Sequence, residues 1–174
     1  MADFFQVDFN INYTYEDVAD LGTGKFSANT AKPFDFTIGT GNNAVDTIFR
    51  DKLELRTGNS WTIEYDLSAL TDAYGVSKNF SKIKLLYIKN TSDDVSETAV
   101  IAVLEDVAND FKGALGTAVG GDLIIDPTDI YQQTKRKTGW LVDGTNKIIK
   151  ITAGGAASAA DDADIDVIII GIAT

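Results

Sequence analysis

The sequence predicts an all-β protein, an antiparallel β-sandwich of jelly-roll or immunoglobulin-like type with little helix. Three observations point there. Apolar residues recur with a two-residue period in several separate runs, the period of a half-buried strand and not of a helix. Glycines and polar residues break those runs at short intervals, which leaves room for about ten short strands. The chain has 174 residues, 44% of them hydrophobic and only two of them proline, enough for one core and without a linker at which to divide it. We therefore expect a single domain over 1–174, with an N-terminal strand or arm and a long loop over 1–44 and a sandwich core over 45–174.

In chain order, Val7, Phe9, Ile11, Tyr13 and Tyr15 alternate with Gln6, Asp8, Asn10, Asn12 and Thr14. Such a run makes a strand about 30 Å long. It reads either as an outer strand with one face on the core or as an arm lying on a neighbouring subunit, with Phe4, Phe5, Tyr13 and Tyr15 as candidate interface residues. Asp17 to Asn43 reads as a long loop, broken by Gly22, Gly24, Pro33, Gly39 and Gly41 around one apolar patch, Phe34 to Ile38. Within it LGTGK, Leu21 to Lys25, lacks the spacing and the hydroxyl residue of a phosphate loop and reads as a plain turn. GTGNNA, Gly39 to Ala44, reads as the turn leading into the centre of the fold.

That centre is Val45 to Ser92. Phe49, Leu53 and Leu55 fall on one side of a strand and Ile48, Arg50, Lys52 and Glu54 on the other, with Asp51 interrupting the apolar side. Trp61, Ile63, Tyr65 and Leu67 alternate with Thr62, Glu64 and Asp66, and Thr57, Gly58 and Asn59 between the two runs predict a hairpin. Ser68 to Gly75 predicts a single helical turn stopped by Gly75. In Ser81 to Asn90, Ile83, Leu85 and Tyr87 oppose Leu86 and Ile88, so the strand is apolar on both faces and belongs in the middle of a sheet. Glu97 to Leu104 predicts a strand, Leu104 to Leu115 either its continuation or a short amphipathic helix, and Asp122 to Pro127 a short strand. Gln132 to Trp140 gathers three basic residues, read as a solvated loop or as a contact for an acidic partner. Lys147 to Thr152 and Ile165 to Ile172 are strands, and the second, apolar on both faces, must be covered by other layers or subunits.

Composition narrows the chemistry. With no cysteine there is no disulfide, thiol nucleophile or thiolate metal site, and with no histidine the commonest general base and transition-metal ligand are missing too. A net charge of −11 disfavours nucleic acid as a partner. No apolar run approaches the roughly 20 residues of a membrane span, and the N-terminus lacks a secretory pattern, so we expect synthesis in the cytoplasm and no membrane partner.

Several groupings resemble sites. Asp161, Asp162, Asp164 and Asp166 offer calcium-type oxygens without the glycine and glutamate of an EF-hand loop. Glu64 with Asp66, or Asp106 with Asp110, would supply two carboxylates for glycoside hydrolysis, but 26 acidic residues make such pairs commonplace. Trp61 and Trp140 would stack on sugars, although Trp61 falls within a core alternation. None singles out a catalytic, metal or cofactor site, and we expect no enzyme.

The phrases NNAVDTIFRDKLEL, YDLSALTDAYG, FSKIKLLYIKNTS, KTGWLVDG, NKIIKIT and DIDVIIIGIAT, spread over residues 42 to 174, resemble a group of tailed-bacteriophage virion proteins, the head decoration or minor head proteins. The resemblance implies a non-enzymatic structural role on a virion, an oligomer, commonly a trimer, and a major capsid or other virion protein as partner. It carries over no catalytic residue or cofactor. A second expectation, from the aromatics and the acidic loop, is a carbohydrate-binding sandwich module of a phage tail or bacterial surface. A carboxylate hydrolase ranks below both.

Overall fold

The computed structural model describes residues 4–19, 22–55, 62–72, 74–92, 101–104, 109–115, 123–153 and 163–174. Antiparallel strands carry almost all of the regular structure, and a single helical turn is the only helix among the described residues. The protein is all-β, as its alternating runs require. It divides into two compact units, Met1–Ile38 and Gly39–Thr174.

The first unit is a ribbon of two long strands, β1 (Phe4–Ala19) and β2 (Gly22–Ile38), paired without interruption from Phe4 opposite Thr37 to Ala19 opposite Gly22. β1 is the strand that its alternation predicts. β2 occupies most of the stretch expected to be loop, and that expectation is corrected from Gly22 to Ile38. Gly22, Gly24 and Pro33 are poor strand residues, but continuous pairing with β1 overrides that weak local preference.

In the second unit, β3 (Ala44–Val45) leads into β4 (Thr47–Leu55), β5 (Thr62–Asp66) and β6 (Phe80–Asn90). β7 (Ile101–Leu104), α1 (Lys112–Leu115), β8 (Leu123–Ile125), β9 (Ile130–Thr134), β10 (Trp140–Leu141), β11 (Ile148–Ala153) and β12 (Ala163–Ala173) complete it. One sheet runs β10-β6-β12-β4, with β9 also paired to β6, and a second runs β5-β11-β7-β8. One cluster of buried side chains draws on both: Phe49, Leu86, Ile88, Val167 and Ile169 from the first, Tyr65, Ile125, Ile149 and Ile151 from the second.

The predicted hairpin between β4 and β5 does not form. β4 pairs with β12, and β5 pairs with β11 in the other sheet. Both strands bury one face, and the buried faces meet instead of lying side by side: the rings of Phe49 and Tyr65 contact edge-on at 5.7 Å. The Tyr65 hydroxyl donates to Asp51 at 3.2 Å, which gives the acid on the apolar side of β4 its partner. Thr57, Gly58, Asn59 and Trp61 lie outside the described residues.

Nor do the described residues of Ser68 to Gly75 form a helical turn. Asp72 shapes them as a loop, its carboxylate accepting from the backbone nitrogens of Tyr74 and Val76 at 2.9 Å each. An aspartate satisfies loop amides in this way more readily than it sits inside a helix. Of the segment given two readings, Leu104 ends β7 and only Lys112–Leu115 is helical, while 105–108 are outside the described residues.

β6 and β12 take the central places their two apolar faces demand. β12 pairs with β4 on one side and β6 on the other, and β6 pairs with β12, β9 and β10. Val167 and Ile169 enter the main core, while Ile170 and its register partner Leu85, on the opposite face, are buried as well. The ladder slips twice inside this pair, between Ile170 and Gly171 and between Ile172 and Ala173; at the first slip Ile170 stands opposite Leu85 and Gly171 opposite Ile83, so Lys84 is an extra, bulged residue. The bulge turns both Ile83 and Leu86 toward the main core. Gly171 is required there, because a Cβ would stand 2.9 Å from Phe80 Cδ1 and far inside contact with the Lys82 carbonyl oxygen.

Candidate functional site

The four expected interface residues all lie on β1, where the structure gives their register. Phe4 is opposite Thr37, Phe5 opposite Phe36, Tyr13 opposite Ala28 and Tyr15 opposite Phe26. Strand alternation places Phe5, Tyr13 and Tyr15 on one face of the ribbon, together with Val7, Phe9 and Ile11, and Phe4 on the other. Sequence reading missed the second half of this face, since Phe26 and Phe34 come to it through β2. The signal was present in the two-residue spacing of Phe34 and Phe36, masked by the flanking glycines and proline. Phe36, opposite Phe5 on this face, is fully buried.

In the second unit the closest approach to a catalytic grouping is at the end of β5. Lys147 Nζ lies 2.6 Å from Asp66 Oδ2 and 3.5 Å from Ser68 Oγ, and Ser68 Oγ donates to Asp66 Oδ1 at 2.6 Å. A serine beside a lysine is a nucleophile only when the lysine is a neutral base. Here the lysine is ion-paired and the serine proton is directed at the carboxylate. Desolvation works against the Asp66 charge, but hydrogen bonds from Lys147 and Ser68 outweigh it and hold the carboxyl below its ordinary range. Ser68 N also donates to Asp66 at 3.0 Å, so the cluster closes the turn after β5.

The carboxylate pairs are neutralised one by one. Glu64 is bridged by Lys150 at 3.2 Å and Asp66 by Lys147. Asp110 meets Lys112 at 3.5 Å, while Asp106 lies outside the described residues. Of the acidic loop, Asp161 and Asp162 are outside the described residues, whereas Asp164 and Asp166 lie within β12. Both oxygens of Asp166 are taken by Arg50, Nε at 3.1 Å and Nη2 at 2.7 Å, the forked geometry that arginine gives to a carboxylate. Among the described residues no group of three or more acidic, histidine or cysteine side chains is arranged to hold a metal ion. Gly22 to Lys25 of the expected turn are part of β2, with no helix after them to receive a phosphate.

The remaining chemistry-bearing side chains are built into the fold. Trp140 packs against the core, and a Cβ at Gly113 would stand 2.7 Å from its own. Burial, with the neighbouring Asp51 charge, pushes the Tyr65 hydroxyl far above its ordinary range, so it does not titrate in use. Exposed apolar side chains are Tyr74 and Val76 on the Asp72 loop, Ile124, Ile130, Leu141 and Ile48. No helix among the described residues is long and apolar enough to cross a membrane. Comparison of the chain with protein-family models, with curated proteins and with solved structures found no match.

Proposed function

We propose that the chain is a non-enzymatic assembly protein, working by contact with copies of itself and with a larger protein lattice. Within that class we take it to be a structural protein of a tailed-bacteriophage virion, of the head decoration or minor capsid type, with a sandwich core of jelly-roll or immunoglobulin-like topology. The observation that carries this reading is the ribbon of Met1–Ile38. It is a compact unit whose two long paired strands carry aromatic positions along one face, a form suited to contact with a neighbouring subunit. The resemblance of residues 42 to 174 to phage head proteins adds the virion, and the one-to-one neutralisation of the candidate carboxylates adds weight to a role without catalysis.

Deletion of residues 1–38 tests it. The remaining Gly39–Thr174 unit keeps its β-rich circular dichroism and cooperative melting, but loses the oligomer seen by light scattering and no longer co-sediments with phage heads. A full-length chain that is monomeric at high concentration and does not bind heads would overturn the proposal.

A further inference from the structure

The basic residues of this acidic protein are unevenly placed. β6 carries Lys82 and the bulged Lys84, and the turn between β9 and β10 carries Lys135, Arg136 and Lys137. The fold draws the two segments together. Lys135 N donates to the Lys84 carbonyl at 2.9 Å, and Gly139 N donates to the Lys135 carbonyl at 2.9 Å. Gly139, at a φ of 70°, fits so closely that a Cβ would stand 3.2 Å from Lys82 Cβ and 3.3 Å from Lys84 Cγ. Lys84 itself is buried and gives its Nζ to the Gly41 carbonyl at 2.7 Å, whereas Lys82, Lys135 and Lys137 are exposed.

Five basic side chains elsewhere on the unit are matched with acids, Arg50 with Asp166, Lys78 with Asp72, Lys112 with Asp110, Lys147 with Asp66 and Lys150 with Glu64, while Lys52 and Lys89 form no ion pair with the described residues. Lys82, Lys135 and Lys137 form no ion pair with the described residues. The chain has 15 basic residues, so five at this corner leave 10 to balance 26 acids over the rest of the molecule. Any other copy therefore carries a large excess of acidic residues outside this corner.

We propose that the Lys82, Lys135 and Lys137 corner docks on a carboxylate-rich surface of a second copy of the chain. The contact joins two different patches, basic on one copy and acidic on the next. A two-fold axis through the corner itself would set lysine against lysine. The inference deepens the assembly reading and rests on it, adding which surface meets which.

Sedimentation velocity of the full-length protein at about 20 mM and about 500 mM salt, across which screening of exposed charges becomes severe, tests it. The wild type associates at low salt and weakens at high salt. The Lys82→Gln/Lys135→Gln/Lys137→Gln variant loses at least about tenfold in affinity at low salt, the scale of 1.4 kcal/mol, and most of the salt dependence. A Lys52→Gln/Lys89→Gln control, neutralising one exposed and one half-buried lysine elsewhere on the same sheet, associates as the wild type does. Unchanged association of the triple variant, with its circular dichroism intact, overturns the inference, as does a wild type that stays monomeric at low salt. Binding of a short fluorescent DNA duplex that the triple variant loses, under conditions where copies do not associate, overturns it in favour of a nucleic-acid surface. Co-sedimentation with phage heads is scored separately, so a triple variant that assembles normally removes the corner contact and leaves the assembly reading standing.

Discussion

Replacing Gly171 with alanine puts one methyl group where the ladder between β6 and β12 leaves no space. The nearest atoms are the Lys82 carbonyl oxygen, far inside van der Waals contact, then Phe80 Cδ1 at 2.9 Å and the Lys82 carbonyl carbon at 3.1 Å. A flexible side chain would swing aside, but two of these three atoms belong to the backbone of a central strand. Restoring normal separation moves β6 and β12 apart by about 1 Å at the bulge, which strains neighbouring ladder hydrogen bonds worth about 1 kcal/mol each and disturbs the buried Phe80 ring. We expect a loss of about 3 kcal/mol, and with an m-value of about 2 kcal/mol/M the urea midpoint falls by about 1.5 M. The assay is equilibrium urea unfolding followed by tryptophan fluorescence and circular dichroism. Gly144→Ala is the control, because a Cβ at Gly144 meets nothing within 4 Å, and its midpoint stays near the wild type's. A Gly171→Ala midpoint within about 0.2 M of the wild type would refute the close approach and with it the bulge register.

Two further perturbations follow from polar groups inside the fold. Asn90 is fully buried and gives Nδ2 to the Ile125 carbonyl at 3.2 Å while its Oδ1 accepts from Ser92 N at 3.1 Å and Ser92 Oγ at 2.7 Å; Asn90→Leu strands those groups and costs about 2–4 kcal/mol by urea unfolding, whereas a loss under about 0.5 kcal/mol would contradict the network. The carboxyl of Asp66 is held below its ordinary range, so its pairing contributes stability above the unfolded carboxyl value of about 4 that is lost as pH falls through the lower folded value; the side chain is 33% exposed, which keeps this under about 1 kcal/mol. Asp66→Asn therefore shows a shallower decline of melting temperature on acidification than the wild type, and parallel declines would sink that assignment.

The strands that sequence reading places best are those whose pattern suffices by itself. Ile83 to Ile88 and Ile165 to Ile172 are apolar on both faces, which only a central, covered position satisfies, and both are central. β2 was hidden because Gly22, Gly24 and Pro33 signal turns locally, while its strand state comes from sixteen paired positions contributed by β1. The failed hairpin has a different cause. Alternation in Phe49 to Leu55 and in Ile63 to Leu67 states that each strand has one buried face, and it is silent on whether the two lie in one sheet or face each other across a core. Polar partners were equally out of reach. Asp66 and Lys147 are 81 residues apart, and Arg50 and Asp166 are 116 apart, so the neutralisation of both acids depends on the finished topology. The basic run at Lys135 to Lys137 was legible, but its meeting with Lys82 and Lys84 was not, since it needs β9 and β10 to share one side of β6.

The place of β12 between β4 and β6 governs how the protein is made. β4 has no other partner among the described strands, and its register runs from Thr47 opposite Gly171 to Leu55 opposite Ala163. Some 70 residues separate the end of β6 from the start of β12, and a ribosome adding 5–20 residues per second needs about 4–14 s to cross them. Throughout that interval Ile88 and Leu86 are synthesised but lack the neighbour that completes their sheet. Folding waits for the last strand to emerge, and the nascent chain spends seconds with a greasy, two-faced segment open to other nascent chains on the same message. Slower initiation spaces the nascent chains on the message and a surplus of holdase chaperone covers the waiting segment, so soluble yield rises with both.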